Sequence, residues 1–154
     1  MGLLSEQTQL DFSETGLLSH ARGFEFRPEQ QQMAVAVAET LEGESALLAE
    51  AGTGVGKSLA YLIPAIRFAL ENGRKAVIST HTINLQEQLF HKDIPTVAKA
   101  LNCHFDAALL KGRANYLCRT RLRRALEQAD DLFNQAETKQ LYDLLAWSKD
   151  CGEG

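Results

Sequence analysis

The sequence lacks the features that mark secreted and membrane proteins. It has three cysteines, an odd number at wide spacings, which gives no disulfide framework. No apolar run approaches the roughly 18–20 residues that a membrane-spanning helix requires. The first residues also lack the basic and apolar regions of a signal peptide. These absences predict a cytoplasmic protein with no membrane partner.

A strong excess of charge of either sign is also missing. The chain has 154 residues, 45% of them hydrophobic and 23% charged, as in ordinary globular proteins, and its net charge is -4. That net charge gives no global sign of nucleic-acid binding, but it hides a local reversal. Between Lys111 and Arg124, six of fourteen residues are basic. A solvated helix face and a DNA-facing path both remain open for this stretch.

The apolar pattern predicts helices separated by short strands. Helical spacing covers residues 28–42, 58–72, 83–90 and 94–101. A helical pattern returns from 119 onward, is broken near Asp130 and Asp131, and resumes towards Trp147. Three short apolar runs, 45–49, 75–80 and 105–110, are predicted to be strands. Residues 1–23 are predicted to be a loosely ordered lead-in with one short helix. This alternation predicts an α/β domain with a largely parallel sheet flanked by helices, incomplete because only three strands are present.

The strongest motif is a glycine-rich loop between the first predicted strand and the helix that follows. Its residues are Ala51, Gly52, Thr53, Gly54, Val55, Gly56, Lys57 and Ser58. Glycines allow backbone N–H groups to wrap a phosphate chain. The lysine brings a positive charge to the β- and γ-phosphates, the serine hydroxyl suits Mg²⁺, and the helix dipole favours the anion. The loop therefore predicts ATP and Mg²⁺ binding, although alanine replaces the usual first glycine.

A second group of residues precedes the loop. Phe24, Arg27 and Gln30 place an aromatic ring, a guanidinium and an amide close together. An amide can pair with both the donor and the acceptor on an adenine edge, and an aromatic ring can stack on the base. A polar helix start with a buried phenylalanine is the alternative.

Four segments in order resemble the motifs of superfamily 2 helicases of the DinG/XPD type, and within them the DinG/YoaA branch. Residues 24–30 resemble the Q-motif and residues 51–58 resemble motif I. Residues 79–82, followed by Leu85, Gln86, Gln88 and Leu89, resemble motif Ia. Residues 110–118 resemble the approach to the iron–sulfur domain. The resemblance implies a RecA-like motor domain over residues 24–112, preceded by a lead-in over 1–23 and followed by the start of an iron–sulfur insertion over 113–154.

The resemblance also implies residue roles. Gln30 would read adenine with support from Arg27 and Phe24, and Lys57 and Ser58 would serve catalysis by holding the triphosphate and Mg²⁺. Contacts with single-stranded DNA would involve the residues Thr80, His81, Thr82, Lys111, Arg113, Asn115 and Tyr116. Thr82 is equally suited to cap the helix that follows it. A complete protein of this type would move 5′ to 3′ on DNA as a monomeric motor.

Two further expectations concern chemistry that the sequence does not complete. In the family, a cysteine at the position of Cys118 is the first of four thiolate ligands of a [4Fe–4S] cluster, so cysteines beyond residue 154 would have to complete it. The chain also has no apolar strand ending in Asp-Glu, the acidic element that ATP hydrolysis needs. Asp130 and Asp131 are poor substitutes because they follow a polar helical stretch. The alternatives at this stage are a P-loop phosphotransferase such as a kinase and a non-catalytic nucleotide-binding adaptor.

Overall fold

A computed structural model describes residues 2–20, 25–52 and 54–151. The described residues form two compact units, Met1–Leu109 and Leu110–Gly154. The α-helices of the first unit are α1 (Leu3–Asp11), α2 (Pro28–Glu42), α3 (Lys57–Asn72), α4 (Ile83–Gln88) and α5 (Ile94–Ala100). Those of the second unit are α6 (Arg119–Glu127), α7 (Ala129–Leu132) and α8 (Gln135–Asp150). None of the described helices is both long and apolar enough to cross a bilayer.

Helix α2 has the bounds that the sequence predicts. It begins at Pro28, whose fixed φ suits the first helical position and whose missing N–H leaves no bond unmade. Helix α3 begins at Lys57, at the end of the glycine-rich loop, and continues through Pro64 to Asn72. These two helices therefore carry the two predicted nucleotide-binding segments at their N-terminal ends.

The core of the first unit is formed by α1, α2, α3 and α5. Its largest fully buried apolar side chains are Phe12, Leu62, Ile63 and Val97, and fully buried alanines on α2 and α3 permit close packing. The short helix predicted in the lead-in is confirmed as α1, but the expected loose order is wrong. Phe12 and Leu18 are both buried in this core.

The three predicted strands are not formed within the described residues. The segments 45–49, 75–80 and 105–110 have no regular secondary structure there. A strand is defined by hydrogen bonds to a neighbouring strand, so apolar β-branched sequence alone does not produce one. In this chain Leu48, Val77 and Leu110 leave their side chains largely exposed. The prediction of a sheet flanked by helices is therefore corrected for the part of the chain that the structure describes.

A π-helical turn, Leu89–Asp93, joins α4 to α5. Pro95 has no N–H to donate to the carbonyl four residues earlier, and its ring would clash with that carbonyl. A wider turn ahead of the proline relieves this conflict, since π-bulges insert an extra residue into a helix. The helix predicted over 83–90 therefore does not stop at Phe90 but runs through this turn into α5.

The second unit is built around α6 and α8. Leu122 of α6 is buried, and the guanidinium of Arg119 donates to the carbonyl oxygen of Ser148 on α8 at 3.0 Å. Helix α8 begins with a capping box in which Asn134 and Glu137 bind each other's backbone N–H groups. The helical pattern predicted from residue 119 onward is confirmed. The break predicted near Asp130 and Asp131 is wrong, because both residues lie within α7 and the interruptions fall at Gln128 and at 133–134.

Candidate functional site

The glycine-rich loop has the backbone conformation that its glycines permit. Gly54 and Gly56 have φ angles of +85° and +82°, in the left-handed region that other residues avoid. Gly56 is also the residue that immediately precedes the first turn of α3. Because that turn has backbone N–H groups without helical partners, the loop ends at a natural anion-binding position.

The side chain of Lys57 turns back over the loop. Its Nζ donates to the carbonyl oxygens of Ala51 at 2.7 Å and Gly52 at 2.9 Å. The ammonium group therefore lies along the start of the loop, where it can exchange these carbonyl contacts for phosphate oxygens. The lysine is exposed, so a ligand has access to it.

Two of the upstream residues contact the same loop. Gln30, which is buried, donates from Nε2 to the carbonyl oxygen of Gly56 at 2.9 Å. Arg27 donates from its guanidinium to the carbonyl oxygen of Gly54 and pairs with Glu25 at 3.2 Å. The structure thus brings Arg27, Gln30 and Lys57 together around one loop, although 26 residues separate Gln30 from Gly56. Phe24 and Thr53, which the sequence also assigns to this site, lie outside the described residues.

Ser58, the predicted Mg²⁺ ligand, lies in the first turn of α3 beside a tyrosine. Tyr61 follows Ser58 by three residues on α3 and is partly buried. Burial raises the pKa of Tyr61, the Ser58 hydrogen bond opposes that rise, and the nearby charge of Asp93 adds to it. The tyrosine therefore stays protonated at neutral pH. Sequence reasoning missed Tyr61; the signal available was its position three residues after Ser58 on one helix face.

The motif Ia residues lie at the start of α4. The Thr82 hydroxyl accepts from the N–H of Leu85 at 3.3 Å, which confirms the capping alternative. The Thr80 hydroxyl donates to the carbonyl oxygen of Thr82 at 3.1 Å. His81 is exposed. Their predicted DNA contacts stay a prediction.

The residues assigned to DNA in the second unit surround a short 3₁₀ turn, Arg113–Asn115. The backbone N–H of Lys111 donates to the Tyr116 hydroxyl at 2.8 Å, and Asn115 donates to the carbonyl oxygen of Gly112 at 3.2 Å. The tyrosine hydroxyl and the asparagine amide are therefore used to shape the turn. Arg113 and Asn115 are both exposed.

Cys118 is exposed at the position that precedes α6. The backbone N–H of Arg121 is the largest cause and lowers the pKa of the Cys118 thiol. Desolvation, the next largest, opposes it, and the N–H of Thr120 and the charges of Arg121 and Arg113 reinforce the lowering. A stabilised thiolate is what a metal-binding cysteine needs. Among the described residues, however, no three cysteine, histidine or carboxylate side chains come together. The role of Cys118 as a cluster ligand therefore stays a prediction.

The loop conformation, the lysine within it and the helix that follows define a P-loop nucleotide-binding protein. The protein family described as "DEAD/DEAH box helicase" matches residues 27–138, which is well over half of the chain. The chain belongs to this family, and its relatives place it in the DinG/YoaA branch. Family membership implies a RecA-like P-loop fold class.

Three relatives illustrate the similarity. The ATP-dependent DNA helicase YoaA of Haemophilus influenzae is 51% identical over 118 residues, covering 76% of this chain and 18% of that protein. The YoaA helicase of Escherichia coli is 44% identical over 145 residues, covering 94% and 22%. The ATP-dependent helicase DinG of Mycobacterium tuberculosis is 44% identical over 121 residues, covering 76% and 18%. The chain therefore spans about a fifth of the length of these relatives.

Proposed function

We propose that the chain is the ATP-binding part of an ATP-dependent DNA helicase of the DinG/YoaA type. The observation that carries this proposal is the convergence of Arg27, Gln30 and Lys57 on one glycine loop. A phosphate loop is shared by many enzymes, but an upstream glutamine and arginine tied to it are typical of helicase motors. The complete protein would couple ATP hydrolysis to 5′–3′ movement on single-stranded DNA and to duplex unwinding in DNA repair, in the cytoplasm.

Each residue of the loop has a proposed task toward MgATP. The backbone N–H groups between Ala51 and Ser58 surround the phosphates, and Lys57 leaves its carbonyl partners for the β- and γ-phosphate oxygens. The Ser58 hydroxyl binds Mg²⁺, which neutralises phosphate charge when bound. Gln30 is held against Gly56 by its Nε2, which leaves its Oε1 to accept from adenine. Phe24 completes the base site.

We propose two surfaces for single-stranded DNA, each described within its own unit. Thr80, His81 and Thr82 would contact phosphates from the start of α4, where short polar groups give binding without base preference. Lys111, Arg113, Asn115 and Tyr116 would contact DNA in the second unit. The basic helix α6 supports this assignment, because the described structure gives no ion pair to Arg121, Arg123 or Arg124. Unpaired arginines attract a polyanion.

Two structural features belong to a protein of the relatives' full length. The segments 45–49, 75–80 and 105–110 would there pair with further strands to make a parallel sheet. Cys118 would there bind a [4Fe–4S] cluster together with cysteines outside this chain. The backbone N–H groups at the start of α6, which lower the pKa of its thiol, support this role, since clusters bind thiolates.

Replacement of Lys57 tests the nucleotide site directly. Lys57→Ala removes the charge proposed to face the β- and γ-phosphates, so binding of a fluorescent ATP analogue should weaken by at least about a hundredfold, because charge-assisted hydrogen bonds to the phosphates are lost. Lys139→Ala, an exposed lysine on α8, is the matched control and should bind as the parent chain does. Equal affinity of Lys57→Ala and the parent chain would refute the nucleotide site.

A further inference from the structure

Helix α1 is fastened to α2 at both of its ends. At its start, the backbone N–H of Leu4 donates to the Glu42 carboxylate at 2.8 Å, which satisfies one of the free N–H groups of the first turn. At its far end, the amide of Gln31 donates to the carbonyl oxygen of Gln9 at 2.8 Å. These contacts run α1 antiparallel to α2. They also place the end of α1 against the residue that follows Gln30.

The same end of α1 is fastened to α3 by a two-pronged ion pair. The Nε and Nη2 of Arg67 donate to Asp11 at 2.7 Å and 3.0 Å, and Gln7 donates to the same carboxylate at 3.1 Å. Asp11 is 2% exposed and Arg67 is 24% exposed. Two parallel bonds fix both the distance and the orientation of the helices, because the guanidinium and the carboxylate must be coplanar.

Stability alone does not account for this ion pair. A buried pair loses much of its Coulomb energy to desolvation, and well-packed apolar residues often stabilise as much or more. What an apolar contact does not supply is a single register between two helices. The pair therefore specifies where α1 lies on α3, while Gln31 and Glu42 specify where it lies on α2.

Helices α2 and α3 are the two elements that must be aligned at the nucleotide site. Gln30 in the first turn of α2 meets Gly56 at the start of α3. Arg67 lies ten residues along α3 from Lys57, about 15 Å at the helical rise. Because α1 contacts both α2 and α3 at a distance from the loop, it fixes the relative position of the two helices at the loop.

We propose that α1 is a positioning element for the nucleotide site, acting through Asp11, Arg67 and Gln31. Its task is to hold α2 on α3 so that the Gln30 amide stays aligned with Gly56 and with the phosphates bound beside it. The consequence for ATP depends on the proposed role of Gln30 toward adenine. These three residues touch no nucleotide themselves.

The test compares ATP with inorganic tripolyphosphate, which has the phosphates but no base. Asp11→Asn and Gln31→Ala should lower the ratio of ATP affinity to tripolyphosphate affinity by about fivefold, equal to roughly 1 kcal/mol. The exchange of charges, Asp11→Arg with Arg67→Asp, should restore part of the ratio. Gln31→Ala retains the ion pair of Asp11 with Arg67 and the apolar core. It therefore keeps the test valid if Asp11→Asn does not fold. Arg74→Met, which breaks the exposed pair with Glu44, is the matched control and should leave the ratio unchanged.

Hydrogen exchange of the nucleotide-free protein provides a readout that does not depend on adenine. Peptides covering residues 28–36 and 51–60 should exchange faster in Asp11→Asn and Gln31→Ala than in Arg74→Met. Unchanged exchange in Asp11→Asn and Gln31→Ala overturns the positioning role. The role is also overturned if Gln30→Ala lowers the ratio of ATP to tripolyphosphate affinity while Asp11→Asn and Gln31→Ala lower the two affinities equally. A third outcome is faster exchange while the ratio of ATP to tripolyphosphate affinity stays the same in both Gln30→Ala and Asp11→Asn. That result supports the positioning role of α1 and refutes the recognition of adenine by Gln30.

Discussion

Gly56 combines two requirements at the nucleotide site that can be separated by substitution. Its φ of +82° is unfavourable for any residue with a Cβ. A Cβ at this position would also lie 2.2 Å from the Gln30 Nε2, so the amide would have to leave the loop. Gly54 has the same kind of φ, +85°, but within the described part of the chain a Cβ there would meet no atom within 4 Å. The two glycines therefore differ only in the second requirement.

We expect Gly54→Ala and Gly56→Ala each to lose about 1–2 kcal/mol of stability from left-handed strain, and Gly56→Ala to lose about 1 kcal/mol more because it displaces the hydrogen bond of the buried Gln30. Gly56→Ala should in addition weaken binding of an ATP analogue by at least about tenfold more than Gly54→Ala, since one displaced hydrogen bond accounts for roughly that factor. Urea unfolding and fluorescence titration give the two quantities. If the two variants bind ATP equally well, the contact between Gln30 and Gly56 has no role in binding.

Cys118 gives a prediction with a definite sign in pH. Its pKa is lowered in the folded protein, so at any pH below the ordinary thiol value the folded state has more thiolate than the unfolded state. Alkylation by iodoacetamide should therefore reach half its maximal rate at a lower pH in the folded protein than in urea. Because a backbone N–H is the largest cause, Arg121→Gln should retain most of the difference. A half-maximal pH that is the same in both states would show that the start of α6 does not stabilise the thiolate.

At the scale of whole elements, the success of sequence reasoning depended on which residues each helix buries. Helices α2 and α3 bury alanines, leucines and isoleucines at helical spacing, so their pattern is readable. Helix α1 buries Ser5, Thr8 and Asp11 beside Leu4 and exposes Leu3 and Leu10, so its buried face is mostly polar. The burial of Asp11 follows from its ion pair with Arg67, whose position lies 56 residues away in the sequence. No local pattern contains that information.

The nucleotide site divides in the same way. Gly54, Gly56 and Lys57 could be predicted because a phosphate loop needs those residue types at fixed spacing. The contacts of Arg27 and Gln30 with the loop backbone required the packing of α2 on α3. The strands failed for the opposite reason: their local signal was present, but strand formation needs a neighbour that local sequence does not specify.

At the scale of the whole molecule, the apolar residues of the unformed strands give the last prediction. Val77 is 92% exposed in this chain, so Val77→Lys should change the free energy of unfolding by less than about 0.5 kcal/mol. It should also reduce self-association, because it removes part of an exposed apolar surface.

In a chain extended to the length of the relatives, the proposed sheet would bury the lysine, and Val77→Lys should lower the free energy of unfolding by more than about 2 kcal/mol. Ile63→Lys, in the core of the first unit, should destabilise both chains severely. Urea unfolding of the four variants decides the matter, and an equal effect of Val77→Lys in the two chains would mean that residues 75–80 do not enter a buried sheet.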